Sequence, residues 1–354
     1  MSRASNLAGF TTSISPPSSL SVGIVTATSV QTTSINNGPL AGFRNAIING
    51  GMQVAQRTAP TITDTPQYGQ ADRFVAYISG GTGISGTINQ GADAQFKSGY
   101  RLWLAGITYT SGTWAIQQRI ESANSIGLNG STVTVSFKLY HDFGSSRSVG
   151  VELAKANAVN NFSSVTAIAS GYGSPALPSG AYSNVSCSFV IGASDATNGI
   201  LLQIADSSAT TVSAKNLIIG DLQLEIGPVA TPFERRLIGT ELALCQRYFW
   251  SSSTAQGYPI ASGQAFGAST AGYMVGLPVS MRSIFVTAGA NNLYGTTAGG
   301  GHVLFTSVTV ILVADTSKLY ISLGGASSLT AGHASLLLIG TAGVNGSLSL
   351  SAEL

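Results

Sequence analysis

A two-residue hydrophobic alternation, repeated in short runs through most of the chain, constrains this sequence more than any other feature. In Ser131–Tyr140 the side chains of Val133, Val135, Phe137 and Leu139 fall on one side of an extended backbone and Thr134, Ser136 and Lys138 on the other. That is the pattern of a strand with one face in a core. The same reading gives strands at Ala46–Asn49, Arg73–Ile78, Gly99–Ile107, Thr113–Glu121, Ser148–Ala154, Ser163–Ala169, Ser183–Ile191, Ile200–Asp206 and Ala214–Ile226. Gly, Asn and Ser separate the runs and no long helical period intervenes, which argues for an antiparallel jelly-roll sandwich. Thr240–Tyr248 breaks the pattern and reads as a short helix, with Thr240 as cap, Glu241 near the positive end of its dipole, and Leu242, Cys245 and Phe249 along one side. Alternation then resumes at Gly272–Leu277, Ser283–Ala288, Val303–Val313, Lys318–Leu323, Ala334–Ile339 and Leu348–Ala352, a second β-sandwich. The expected organisation is an all-β chain: an extended N-terminal segment over 1–42, a jelly roll over 43–236, a junction helix over 237–250 and a C-terminal β domain over 251–354.

Ionisable side chains are scarce, with 16 Lys+Arg and 14 Asp+Glu in 354 residues, or 8%, where soluble domains carry about 25%. A mean hydropathy of +0.29 with a net charge of +2 is the opposite of a disordered composition. Singly scattered bases offer no stripe for phosphates, so no nucleic-acid partner is expected. The longest apolar runs, Val308–Ala314 and Leu336–Ile339, fall short of the roughly 18 residues that span a bilayer, so no membrane insertion is expected either. Met1–Phe10 has one Arg and no apolar stretch, unlike a signal peptide. Within 1–42 the only charge is Arg3, and Leu20–Val30 is β-prone without a turn to fold it back; such a thread is expected to be ordered only against another chain or a docking surface. The segment 251–354 holds only Arg282, Asp315, Lys318 and Glu353 as charges, and so bare a surface is expected to face identical subunits. Cys187 and Cys245 read as buried free thiols, Cys187 because it shares the apolar face of Val185–Ile191.

Local motifs for chemistry fail on their own terms. Gly81-Thr82-Gly83-Ile84-Ser85-Gly86 matches a dinucleotide fingerprint, but that motif needs a helix directly afterwards and an acid roughly 20 residues on. Thr87–Gly91 and Arg101–Gly106 supply neither, so a glycine-rich turn between strands is expected. His141, His302 and His333 stand without neighbouring ligands, and no G-x-S-x-G is present, which leaves no nucleophile elbow, no metal motif and no expected cofactor. Glycan cleavage would need two carboxylates about 5–10 Å apart, and none is announced locally. Asp72 abuts Arg73, Glu225 lies across a turn from Glu234, and Glu234 abuts Arg235-Arg236; these carboxylates and arginines read as members of structural ion pairs that fix strand ends. Binding remains. Trp103, Tyr109 and Trp114 flank Ser111-Gly112, and aromatic rings beside hydroxyl and amide groups hold sugar faces; the alternative is that both tryptophans fill the core.

Several segments resemble bacteriophage virion-fibre proteins with a jelly roll like a carbohydrate-binding module. They are Asn45–Arg57, Ala71–Phe74, Gln118–Glu121, Leu222–Arg236, Glu241–Phe249, Pro278–Arg282 and Ser351–Leu354, so that the resemblance covers roughly 45–354. Val22–Thr28 is similar to the N-terminal threads of some marine phage fibres. The resemblance implies an adhesive or decorating component of the virion, usually a homotrimer, whose shared segments are framework and carry no catalytic role. Where that group often has Trp after Asp-Arg, this chain has Phe74. The expectation is a non-enzymatic tail fibre that adheres to host-surface glycan and contacts other virion proteins through 1–42. A head fibre or capsid decoration protein is the structural alternative, and a tailspike-type depolymerase the enzymatic one.

Overall fold

In a computed structural model, residues 43–168, 171–252, 258–283, 287–312, 317–341 and 345–354 are described. The expected N-terminal thread lies outside them, as do parts of the expected strands at 169, 284–286 and 313. Alternation becomes pleat in eleven strands of the first unit: β1 (Gln67–Tyr68), β2 (Val75–Ser79), β3 (Thr82–Ala92), β4 (Tyr100–Ile120), β5 (Thr132–His141), β6 (Val149–Ala158), β7 (Asn161–Ala167), β8 (Tyr172–Gly173), β9 (Tyr182–Val190), β10 (Ile200–Asp206) and β11 (Thr210–Ile226). One sheet runs β3-β4-β11-β5-β9 and the other β2-β4-β10-β6-β7, with β1 beside β2 and β8 beside β6; all these pairings are antiparallel. Between the sheets lies one apolar core that includes Phe74, Leu104, Tyr109, Trp114, Val135 and Leu202. The all-β jelly-roll expectation holds.

β4 belongs to both sheets. Its first half pairs with β3 from Ala92↔Tyr100 to Thr82↔Thr110, and its second half pairs with β2 through Val75↔Gln117 to Ser79↔Thr113. The two strands expected at Gly99–Ile107 and Thr113–Glu121 are thus one, and the expected turn between them is a bend. Ser111 takes a φ of 56° there, and a Cβ on Gly112 would sit 2.8 Å from Ile78 and 2.9 Å from the Gly81 backbone. Only glycine lets the chain cross the corner of the sandwich at that distance.

Other expectations are corrected for similar local reasons. Ala46–Asn49 is a turn, because the side chains of Asn45 and Asn49 take up the backbone bonds a ladder would have used: Asn45 accepts from the Ile47 and Leu224 amides, both at 3.0 Å, and Asn49 donates to Val54 O at 2.9 Å. Gly81–Gly86 is mostly strand, since β3 begins at Thr82 and absorbs its glycines as irregularities in its register with β4.

The second unit is also a sandwich. Its strands are β12 (Phe249–Ser252), β13 (Tyr258–Ala265), β14 (Ala271–Gly276), β15 (Thr287–Asn291), β16 (Leu293–Thr296), β17 (His302–Leu304), β18 (Ser307–Leu312), β19 (Lys318–Gly324), β20 (Ala334–Ile339) and β21 (Ser347–Ser351). A seven-stranded sheet, β17-β16-β20-β13-β14-β19-β18, faces a three-stranded one, β12-β21-β15, over a core that includes Tyr273, Phe305, Ile321, Leu337 and Leu350. Val303–Val313, expected as one strand, divides where Phe305 turns inward to pack edge-on against Tyr273 at 6.0 Å.

Between the units lies α1 (Ile238–Gln246), which starts earlier than its sequence signal because Leu237 occupies the cap position, and Thr240 falls inside the first turn. A small cluster of Ile48, Val54, Cys245 and Tyr248 seals it against the jelly roll. Cys187 and Cys245 are buried free thiols, and burial pushes the Cys187 thiol up to about 12.

Candidate functional site

The outer face of the β2-β4-β10-β6-β7 sheet carries a cleft of about 330 Å³. Strand register builds it row by row. Tyr77, Ala115, Ala205 and Gly150 stand side by side across four strands, so beyond the tyrosine ring this row is a floor of small residues. The next row is Val75, Gln117, Gln203 and Glu152, and the next Arg119, Leu201 and Ala154. Phe162 and Val165 form the wall at β7. From β2 to β7 is four strand spacings, about 19 Å at roughly 4.8 Å each, long enough for several sugar rings.

Polar groups converge on this floor. The Gln117 amide donates to Gln203 Oε1 at 2.6 Å and to the Tyr77 hydroxyl at 3.1 Å, and the Tyr77 hydroxyl donates to Gln203 Oε1 at 3.2 Å. These bonds fix three side chains in one orientation and use only part of their capacity. Gln117 Oε1, the Gln203 amide hydrogens and the Glu152 carboxylate have no partner among the described residues. Burial pushes the Tyr77 phenol up, Arg119 opposing the rise and Glu152 adding to it, so the ring keeps its proton and remains a donor. The result is an apolar ring, a hollow floor, and fixed acceptors and donors between two walls. Chemically it matches a neutral polyhydroxylated ligand: CH faces stack on aromatic side chains and hydroxyls reach amides and a carboxylate.

The sequence-derived aromatic trio does not form a site. Tyr109 and Trp114 are 0% and 1% exposed and belong to the core, so neither can offer a ring face. Trp103 is half-buried on the outer face of the other sheet, in a row with Asn89, Ile218, Tyr140 and Tyr182. Its indole N–H donates to Asn216 Oδ1 at 3.0 Å and Arg101 lies 4.6 Å above its ring. The residues that do converge are Tyr77, Gln117, Gln203 and Glu152, one from each of four strands, and the sequence marks them only as polar or aromatic side chains at outward positions of separate alternating runs.

Of the residues expected in ion pairs, Asp72, Arg73 and Glu234 form them, and Glu225 and Arg235 do not among the described residues. Asp72 pairs with Arg57 at 2.9 Å, whereas its neighbour Arg73 reaches across the unit boundary to Glu353. Glu234 lies 3.7 Å from Arg236, and Arg235 is exposed with no ion pair among the described residues. Glu225 is held by hydrogen bonds, from the Gln223 amide at 2.8 Å and from Thr231 N and Oγ1 at 2.7 and 2.6 Å, rather than by an arginine. A one-residue choice between Arg235 and Arg236 depends on which one turns inward, where Arg236 also meets Glu241 at 2.6 Å. A larger crevice of about 590 Å³ separates the two units, but its walls include four serines, and the Phe249 ring in it is covered by Arg57 at 3.6 Å.

No protein-family model matches the chain, and no curated protein is similar to it. Among solved structures it is similar to the enzymatically active domain of tailspike protein 4 of bacteriophage CBA120, at 12% identity and a TM-score of 0.34, over 51% of this chain and 21% of that one. It is similar to a putative sugar-binding protein from Bacteroides thetaiotaomicron, at 12% identity and a TM-score of 0.34, over 52% of this chain and all of that one. A third is a carbohydrate-binding module of the β-sandwich superfamily, at 14% identity and a TM-score of 0.34, over 46% and 62% of the two chains. At this degree of similarity nothing about ligand or activity transfers to the present chain.

Proposed function

We propose that this protein is a non-enzymatic bacteriophage virion fibre, of the tail-fibre kind, whose jelly roll holds a neutral host-surface glycan in the cleft between Tyr77 and Phe162. The observation that carries the reading is the pre-set triad of Tyr77, Gln117 and Gln203, whose mutual bonds leave an acceptor and a donor pair aimed at the cleft. Glu152 is the one carboxylate among the lining residues, which favours holding a sugar over cleaving it, since hydrolysis uses two. The phage assignment is supported by the resemblance of the framework segments. In the structure these serve as framework: Gln118 bonds both Ile48 N and O at 2.8 Å, and Glu241 accepts from Asn49 N at 2.7 Å. Three copies on one particle make a weak site sufficient, because effective concentration multiplies it.

Affinity electrophoresis of the full chain in gels containing xylan, galactan, mannan or β-glucan tests the reading. Retardation by at least one of them is expected, and it is lost in Tyr77→Ala and Gln117→Ala. A chain that none retards, or a Tyr77→Ala variant that migrates like the parent, defeats it. Incubation with the retarding polysaccharide should release no new reducing ends; their appearance would favour the depolymerase.

A further inference from the structure

Arg119 closes one end of the cleft, and a group from the other β unit holds its guanidinium. Nη1 donates to the Leu354 carbonyl, which also accepts from the Tyr68 hydroxyl at 3.0 Å. One residue earlier, the Glu353 carboxylate receives Arg57 at 2.8 Å and the buried Arg73. Arg73 in turn donates to the Arg119 carbonyl at 2.6 Å. Arg282 fastens the segment from the far side, bonding the carbonyls of Ala352 and Glu353 at 2.8 and 3.2 Å. Glu353 therefore reaches Arg119 by two routes, along the chain to Leu354 and through Arg73.

Resting on the glycan reading of the cleft, we infer that Arg119 is a positioning residue through which Ala352–Leu354 sets saccharide affinity, so that glycan engagement and docking of the C-terminal unit are coupled. A guanidinium already held has little rotamer freedom left to lose when a sugar arrives. Released, it must be ordered by the ligand, and the affinity falls accordingly. Linkage makes the effect reciprocal: a sugar that prefers the held arginine tightens the segment that holds it.

The test uses the full chain in the same four polysaccharide gels. Glu353→Gln removes the charge that fixes the segment and leaves every cleft side chain in place, and about a fivefold loss of affinity is expected. Arg119→Met is expected to lose at least as much, and the double variant no more than Arg119→Met alone. Additive losses would mean that Glu353 acts elsewhere, and would overturn the coupling. Should Glu353→Gln fail to fold, Arg282→Gln, which is not among the residues lining the cleft, is expected to show the same fivefold loss. Hydrogen exchange supplies the reciprocal arm: the retarding polysaccharide should slow exchange at the amides of 350–354, and unchanged exchange refutes the coupling. Retardation of the parent with no change in Glu353→Gln sinks the coupling alone. Absence of parental retardation sinks the glycan reading with it.

Discussion

Trp103 and Trp114 share one strand and meet different fates. Trp114 is part of the jelly-roll core, and Trp114→Ala is expected to destabilise the fold by about 3–5 kcal/mol, whereas Trp103→Ala, at a half-buried outer position, should cost under about 2 kcal/mol in the same urea titration. The sequence could not separate them because the inward parity of β4 changes twice. Leu102 and Leu104 face in, then Ile107 and Tyr109, then Trp114 and Ile116. The changes fall at Gly106 and Ser111, which take φ of 58° and 56°, and a strict two-residue count has no means of registering either. His141 supplies a second prediction. It is 1% exposed; its Nε2 faces Leu177 O at 3.2 Å and its Nδ1 accepts the Phe143 amide at 3.4 Å, an arrangement only the neutral ring satisfies. Burial is the main cause that holds its pKa below the ordinary 6.5. The unfolded chain thus takes up the proton first, so the stability this residue contributes is complete above pH 6.5 and drains away as the pH falls below it. Thermal melts between pH 7.5 and 5 should show that decline in the parent and a shallower one in His141→Gln.

At the scale of elements, the corner in β4 is the feature most open to challenge. Gly112→Ala is expected to destabilise by about 1–3 kcal/mol, since its methyl group would press on Ile78 and the Gly81 backbone. Ser111→Gly, which relieves a left-handed conformation, should be neutral or slightly stabilising in the same denaturation experiment. Elements were legible where apolar periodicity was dense: β10 and β20 occupy the expected Ile200–Asp206 and Ala334–Ile339 to the residue. β13, Tyr-Pro-Ile-Ala-Ser-Gly-Gln-Ala, was invisible because it has little apolar alternation of its own. It becomes a strand by pairing with β14 on one side and β20 on the other, a case of partners outweighing propensity. The cleft was illegible for the same reason. Tyr77, Gln117, Gln203 and Glu152 come from four separate strands, and only inter-strand register makes them neighbours.

For the whole molecule, the sparsity of charge in 251–354 bears on assembly. Light scattering of the purified chain is expected to give a particle near three times its 36.0 kDa mass, and a monomer at micromolar concentration would contradict the trimeric reading. The continuity of β4 has a further consequence. Because one strand feeds both sheets, sliding its second half by a single position would turn Gln117 and Arg119 toward the interior and Trp114 and Ile116 toward water, stripping the cleft floor and the core together. A half-folded chain with an intact cleft is therefore not on offer: under the proposed role a misthreaded copy is blank rather than weakened, and glycan retention should scale with the fraction of correctly threaded copies instead of grading smoothly with damage.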